Sequence, residues 1–320
     1  MTACRNSSYD SPIVDLHTRK LRAFVVAAEE LNFSRAAARL FLTQQALSRL
    51  IREVETEVGA ALFTRTTRKV ELTSAGLAFR DGAVAALVAL DHASAEALRR
   101  ERAISGALHL GYSVAAALEL TEPMLSEFRS RYPDVELQAR EYSYADPDAG
   151  LISGSADVSI IRLPISMPGL QTVPLFTEPL VAAVSKGHRL AGRESVSAIE
   201  LLDDPITLSE LDDPARREFW TLAAFRRPES PAVVIPVGSV TEEVQIVGSG
   251  RAIGITTAAA IRYMPFPGVK HLPITDAPGS VVALAWTERS ASLVSRFVEV
   301  ALAVRDREMD LVNAIEHPLS

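Results

Sequence analysis

Six side chains that could read or grip a nucleic acid fall within ten residues: Thr43, Gln44, Gln45, Ser48, Arg49 and Arg52, in "FLTQQALSRLIREVETEVG", residues 41–59. Between them Leu47, Leu50, Ile51, Val54 and Val58 recur at helical spacing, so the segment reads as an amphipathic helix with an apolar back. Glutamine matches adenine, and arginine matches guanine, through paired hydrogen bonds to the base edges of a major groove. A threonine at the N-cap would aim the positive end of the helix dipole, and its own hydroxyl, at a phosphate. The competing reading is a solvated helix face with no partner, and one helix does not decide between the two.

Other chemistries find little support. The six histidines, His17, His92, His109, His188, His271 and His317, are scattered without metal-ligand spacing. No G-x-S-x-G nucleophile elbow occurs. "GSGRAIG", residues 248–254, spaces its glycines as G-x-G-x-x-x-G, and it follows a helical pattern and precedes a strand, the reverse of a dinucleotide loop. The single cysteine, Cys4, can form neither an internal disulfide nor a thiolate zinc cage, so secretion and thiol-pair redox sensing are unsupported. No signal peptide is recognisable, and no apolar run approaches the roughly 18–20 residues of a membrane span. A cytoplasmic protein is expected.

The elements around the polar helix are legible from periodicity. Residues 1–14, "MTACRNSSYDSPIV", lack it and read as a flexible tail, with Asp15 as a candidate cap. A first helix over 16–31 places Leu16, Leu21, Phe24, Val25, Ala28 and Leu31 on one side. Ser34 is expected to cap a short alanine-rich helix over 35–40, and a break of about two residues leads to Thr43. Two short helices with a tight turn, the second polar on its outer side, make a helix-turn-helix. Gly59 suits a C-cap. The runs 62–65 and 69–72 alternate around Thr66, Thr67 and Arg68, which predicts a β-hairpin with a basic tip. Thr73 then caps a helix over about 74–102, too long for a small domain and therefore a linker or dimerisation element, with Leu77, Val84, Leu87, Val88 and Leu98 as a seam.

Net charge is −7 over 320 residues, which looks wrong for a nucleic-acid binder until it is resolved along the chain. Residues 16–80 carry 11 Lys and Arg against 6 Asp and Glu, whereas residues 81–320 carry 21 against 32. A small basic module joined to an acidic body holds phosphate with one part and keeps the other away from it. That balance and the basic hairpin favour the nucleic-acid reading of the polar helix.

From Gly106 onward the texture changes. Strands at "ALHLGYS", "VELQARE", "DVSIIRL", "LVAAVSK", "AVVIPVGS", "AIGITT" and "VVALAW" alternate with helices over 116–131, 215–225, 241–248 and 291–310. A loop at 143–147 and a short helix after it complete the series. The alternation predicts parallel sheets with helices on their faces.

Residues 21–76, with their "F.RAA..L..TQ.ALS..I...E...G..LF.R" spacing, closely resemble the winged helix-turn-helix of LysR-type transcriptional regulators. "GALHLGYS", "RYPDVEL", "ADVSIIR", "EPLVAAVSKGHRLA" and "IVGSGRAIGI" are similar to landmarks of that family's effector domain, so the resemblance covers nearly the whole chain from Asp15. It implies an all-α winged helix-turn-helix over 15–73 and a linker helix over 74–104. An α/β, two-lobed, periplasmic-binding-protein-like domain over 105–320 is implied to follow. Lobe I is expected over about 105–172 and 274–320, and lobe II over about 173–273. The implied partners are double-stranded DNA, a small-molecule effector, further copies of the chain in a homodimer or homotetramer, and RNA polymerase. No cofactor and no membrane are implied.

By position in the family pattern, Gln44, Gln45, Ser48, Arg49 and Arg52 face the groove. Arg35 touches backbone, and Arg65, Arg68 and Lys69 reach phosphates or the minor groove. Two departures bear on this. Many members carry proline where this chain has Gln45, and Thr-Gly at the wing turn where it has Thr66-Thr67, β-branched residues that disfavour positive φ. Relatives also commonly begin near Val14-Asp15-Leu16, which suggests a native start at Val14.

The resemblance places the effector where strand ends and helix N-termini converge, the ligand position of open α/β sheets. The matching positions are Tyr112, Ser113, Ser143, Leu208, Ser209, Ser239, Val240 and Thr241. Hydroxyls and free N–H groups there suit an anion such as a carboxylate. Each Ser or Thr has the alternative of capping its own helix. Arg162, at a strand end, has the alternatives of an anion or an acidic neighbour. An effector-responsive regulator is the reading adopted. A module that only sequesters a small molecule, or an enzyme on an α/β scaffold, would have no use for the basic N-terminal module.

Overall fold

The computed structural model describes residues 16–65, 69–143, 146–209, 213–287 and 292–318, and the chain divides into two compact units between Ala93 and Ser94.

In the first unit, α1 (Thr18–Glu30), α2 (Phe33–Arg39) and α3 (Gln44–Val58) precede strands β1 (Phe63–Arg65) and β2 (Val70–Leu72). Helix α1 stops because Leu31 turns left-handed, φ 45°. The cap of α2 is Asn32 and not Ser34. Its side chain accepts from the N–H groups of Ser34 and Arg35 at 3.0 Å each, so the helix begins two residues earlier than the sequence suggested. Thr43 caps α3, accepting from the Ala46 N–H at 3.2 Å, and Gly59, φ 74°, ends it. Strands β1 and β2 pair antiparallel. Glu55 fixes the hairpin to α3 by accepting from the N–H groups of Leu62 and Phe63 at 2.9 and 3.1 Å. Phe24, Phe33, Phe63 and Phe79 stack edge-on or tilted at 4.9–5.5 Å among Leu47, Ile51, Val54 and Leu62. Asp15 and the hairpin tip Thr66, Thr67 and Arg68 lie outside the described residues, as does the suggested start at Val14.

Helix α4 (Ser74–Ser105) is capped by Thr73, which accepts from the Gly76 N–H at 2.9 Å. Gly76 is required there, because a Cβ would lie 2.1 Å from the Leu62 carbonyl oxygen. On this single chain Leu77, Val84, Val88 and Leu98 are 41–50 % exposed, while Leu87 is half-buried.

The second unit holds two five-stranded sheets. The first contains β3 (Ala107–Ser113), β4 (Glu136–Tyr142), β5 (Val158–Arg162), β6 (Leu170–Glu178) and β12 (Ser280–Thr287), in the order β4-β3-β5-β12-β6. It packs on α5 (Leu118–Arg131) and α9 (Ser292–Arg307) through Leu110, Leu120, Met124, Phe128, Ile160 and Phe297, each side chain contributing roughly 1.5–3 kcal/mol when fully buried. The second contains β7 (Leu180–Ser185), β8 (Ile206–Ser209), β9 (Val234–Val237), β10 (Ile253–Thr257) and β11 (Val269–Pro273), in the order β11-β7-β10-β8-β9. Helices α6 (Pro214–Trp220), α7 (Val240–Gly248) and α8 (Ala259–Tyr263) belong with it, and α10 (Met309–Glu316) follows α9.

Several expectations change. The sheets are mixed, since β12 runs antiparallel to β5 and β6, and β7 antiparallel to β10 and β11. Strand β6 pairs with β12, so residues 173–178 belong to the first sheet and the crossover to the second lobe is at Pro179, not at 172. Residues 147–155 form turns instead of a short helix, with Ala149, Gly150 and Gly154 at positive φ. The helix expected over 215–225 ends at Trp220, before a left-handed Leu222, and the one over 291–310 breaks at Glu308. Among the described residues no helix is long and apolar enough to cross a membrane.

Candidate functional sites

On α3 the two sides are cleanly divided. Leu47, Ile51 and Val54 are fully buried, Leu50 and Val58 are half-buried, and Thr43, Gln44, Gln45, Arg49 and Arg52 are exposed, with Ser48 partly so. Arg49 Nε donates to Glu53 at 3.1 Å, and Arg52 Nε donates to the Ser48 carbonyl at 3.2 Å. Arg35 reaches back to Glu30 at 3.0 Å, and Lys69 lies 2.7 Å from Glu71. Such exposed pairs are weak, so a phosphate can replace the carboxylate. Behind this face the Lys20 ammonium bridges Glu57 at 2.6 Å and Glu53 at 3.1 Å, tying α1 to α3. These partners raise the Lys20 pKa, and Lys20, then Arg49, lowers that of Glu53. Arg65 contributes its backbone to β1, opposite Val70. Arg68 lies outside the described residues.

In the second unit a cavity opens between the ends of the two sheets. Ser113, Val114, Ala115, Ser143, Pro147 and Arg162 line it from the first lobe. Thr207, Leu208, Ser209, Arg216, Trp220 and Glu243 line it from the second, with Val237, Ile255, Thr256, Thr257 and Met264. The cavity volume is about 90 Å³.

Of the eight expected effector positions, Ser113, Ser143, Leu208 and Ser209 are here and the other four are not. Tyr112 packs on the first core, because side chains alternate along β3 and only Ser113 falls on the cavity side. Ser239 caps α7, accepting from the Glu242 N–H at 3.2 Å, so the capping alternative holds for it. Thr241 is exposed. Val240 lines a smaller neighbouring cavity that shares Glu243, Thr256 and Met264 with the main one. His271 lines that smaller cavity too, and burial pushes its pKa down.

For Arg162 the acidic neighbour is present. Nη2 lies 2.7 Å from Glu178, a carboxylate only 1 % exposed, and also donates to the Ala115 carbonyl. That bond holds the left-handed Ala115, φ 53°, at the cavity wall. Nη1 is buried with no hydrogen-bond partner. The indole Nε1 of Trp220 is likewise buried and unpartnered, and the two residues are 9 % and 8 % exposed. A second cation approaches Glu178. Arg262 Nη2 on α8 is 3.5 Å away, and its Nε donates to Glu119 on α5 at 2.8 Å. Charges therefore run from the cavity, through Glu178, to a bridge between the lobes.

Sequence reasoning missed Arg216 and Trp220, although their spacing puts them on one face of α6. That helix is set by Asp213, which accepts from the N–H groups of Ala215 and Arg216 at 3.0 and 3.2 Å and from Ser166 of the first lobe at 2.8 Å. Burial alone would raise the Asp213 pKa. The hydrogen bonds from Ser166, Arg216 and Ala215 outweigh it and hold the carboxyl below its usual range.

A family model described as "LysR substrate binding domain" matches residues 101–306. Another, "Bacterial regulatory helix-turn-helix protein, lysR family", matches residues 18–77. The chain is 31% identical to the uncharacterized HTH-type transcriptional regulator YnfL of Escherichia coli strain K12, over 94% of this chain and 100% of that one. It is 36% identical to HTH-type transcriptional regulator AlsR of Bacillus subtilis strain 168, over 60% and 63%. A hydrogen-peroxide-bound cysteine-to-serine variant of Corynebacterium glutamicum OxyR is 26% identical with TM-score 0.52, covering 94% of this chain and 95% of that one. Full-length BenM, 22% identical, covers 95% and 100% with TM-score 0.51 and shows the fold alone. Among the described residues no cysteine lines this cavity.

Proposed function

The chain belongs to the LysR family of bacterial helix-turn-helix transcriptional regulators, and we propose that it reads its operator through α3 while a small carboxylate between the two lobes sets its activity. The family is one of DNA-binding regulators, not enzymes, with a domain for small-molecule effectors.

The reading of DNA rests on Gln44, Gln45, Ser48, Arg49 and Arg52 as the groove-facing set, with Thr43 on a phosphate. Gln45 adds a base reader, so the preferred operator differs from those of proteins with proline there. Arg35, Arg65, Arg68 and Lys69 supply backbone contacts, each lost counterion steepening the salt dependence by about 0.9 in log–log slope. The seam on α4 joins copies of the chain, as a dimer or tetramer. RNA polymerase is the partner at the promoter, and the cytoplasm is the compartment.

For the effector, the observation that carries the proposal is the pair of buried donors without acceptors, Arg162 Nη1 and Trp220 Nε1, in one cavity. Buried donors left unsatisfied cost about 1–3 kcal/mol each, and a carboxylate satisfies both. An anion on Arg162 competes for it with Glu178 and so strengthens the claim of Arg262 on Glu178. That biases the Arg262–Glu119 bridge between lobes, a coupling that changes how the oligomer spaces its helix-turn-helix pairs. Thermal unfolding of the full chain with a panel of small carboxylates and neutral metabolites tests this. Stabilisation by a carboxylate, about 2.7 kcal/mol at a hundredfold excess over Kd, should disappear in Trp220→Phe and Arg162→Gln. Stabilisation only by neutral compounds would refute it.

A further inference from the structure

The turn between α2 and α3 is closed in a way that calls for glycine. The Leu42 N–H donates to the Ala37 carbonyl at 2.8 Å, and the Phe41 N–H to the Ala38 carbonyl at 3.1 Å. These are the paired bonds of a Schellman cap, whose left-handed position is usually glycine. Here that position is Phe41, φ 54°, a conformation in which a bulky side chain is strained. Among the described residues Leu31, Ala115, Ala149 and Leu222 also take positive φ without being glycine. Ala149 and Leu222 are buried, Ala115 is half-buried and Leu31 is 44 % exposed. Phe41 is 98 % exposed, against 69 % for the next most exposed large apolar side chain, Ile199. Its neighbours Leu40 and Leu42 are partly buried, so the turn is anchored without the phenyl ring. Nothing in the fold offsets the strain at Phe41, and strain of that kind gathers at functional sites.

The place of Phe41 in the chain says what the ring would meet. It lies two residues before Thr43, the N-cap of α3, and Thr43, Gln44 and Gln45 are exposed with it. That run is the leading end of the helix read above as facing the groove. The apolar groups at the wall of a major groove are the thymine methyl and the deoxyribose, and phenylalanine is among the side chains that pack on the methyl. We infer that Phe41 is a further DNA contact, an apolar one, whose ring packs on a thymine methyl or a deoxyribose at the edge of the groove that α3 enters. This rests on the DNA reading of α3 and extends it to the turn. A glycine would suit the turn better and would forgo the contact.

Phe41→Gly in the full chain separates the two demands. Fluorescence anisotropy on a duplex selected from random sequence should show affinity falling roughly tenfold. The melting temperature should hold or rise, and the oligomeric state in analytical ultracentrifugation should not change. Replacing each thymine of the duplex in turn by deoxyuridine removes only the methyl and identifies the group touched. A loss of about fourfold at a position to which wild type responds and Phe41→Gly does not marks a methyl. Weaker binding by Phe41→Gly with no such position marks the sugar. Unchanged affinity in Phe41→Gly would overturn the inference. So would a lower melting temperature or an altered oligomeric state, since the ring would then pack within the protein or against a second copy. Arg49→Ala in the same assay keeps the two readings apart. If it weakens binding and Phe41→Gly does not, only the Phe41 contact fails; if neither does, the reading of α3 fails as well.

Discussion

The polar face of α3 and the cavity of the second unit are assembled in opposite ways. Six side chains on α3 and its cap come from ten consecutive residues, 43–52, on a helix held in place by its apolar back and by the ties of Glu53, Glu55 and Glu57. The cavity takes its walls from segments between Ser113 and Met264, and its polar groups double as structural ties. Arg162 neutralises buried Glu178 and holds the Ala115 carbonyl. Asp213 caps the helix that presents Trp220. On the proposed reading, recognition and stability are therefore separable on α3, whereas in the cavity one side chain serves both.

Substitutions sharpen or break this contrast. Arg162→Ala has the largest expected effect, because it leaves Glu178 buried with only the more distant Arg262. A loss of about 3–5 kcal/mol should appear in denaturant unfolding, and an unchanged midpoint would break the contrast. Arg49→Ala should cost about 1–3 kcal/mol in operator affinity if it reads a base bidentately, with no change in the melting temperature. Both are measurable on one preparation by fluorescence anisotropy and a thermal melt.

Asp213→Ala removes a cap and an interlobe tie, at about 1–2 kcal/mol. It also carries a pH signature. The folded carboxyl titrates below its unfolded value, so its stabilisation is present above the usual aspartate range and is lost as pH falls through the folded pKa. Comparing melts of wild type and variant across the acid range should show the difference closing as pH drops. Thr43→Ala, the smallest change, should cost roughly 0.5–1 kcal/mol through the lost cap and slightly weaken DNA binding in the same anisotropy assay. It is the one position on α3 where the two roles overlap.

The same contrast explains what was legible in the sequence. The spacing of Leu47, Ile51 and Val54 determines which way Gln44 and Arg49 point, because a helix converts sequence interval into direction. The hairpin, the Thr43 and Gly59 caps and the long α4 follow from equally local rules. No local rule says which strand ends meet. Ser239 and Ser113 look alike as sequence, yet the first spends its hydroxyl on α7 and the second lines the cavity. Strand β6 went unrecognised because it lies at a sheet edge, contains Pro174 and has an irregular burial pattern, all of which mimic a loop. Trp220 was in reach, since Asp213-Pro214 marks a helix start and Arg216 and Trp220 then share a face. Their convergence with Arg162 depends on the fold.

The account's central claim is that the cavity controls the DNA face, and operator affinity tests it most directly. Anisotropy titrations of the full chain on an operator selected from random sequence would be run with and without a saturating concentration of a small carboxylate that stabilises the chain. The account predicts that operator affinity, or the spacing between half-sites that binds best, changes by roughly 5–150-fold in the wild-type chain and stays unaltered in Arg162→Gln. Equal affinity and equal spacing preference with the cavity filled or empty would contradict it.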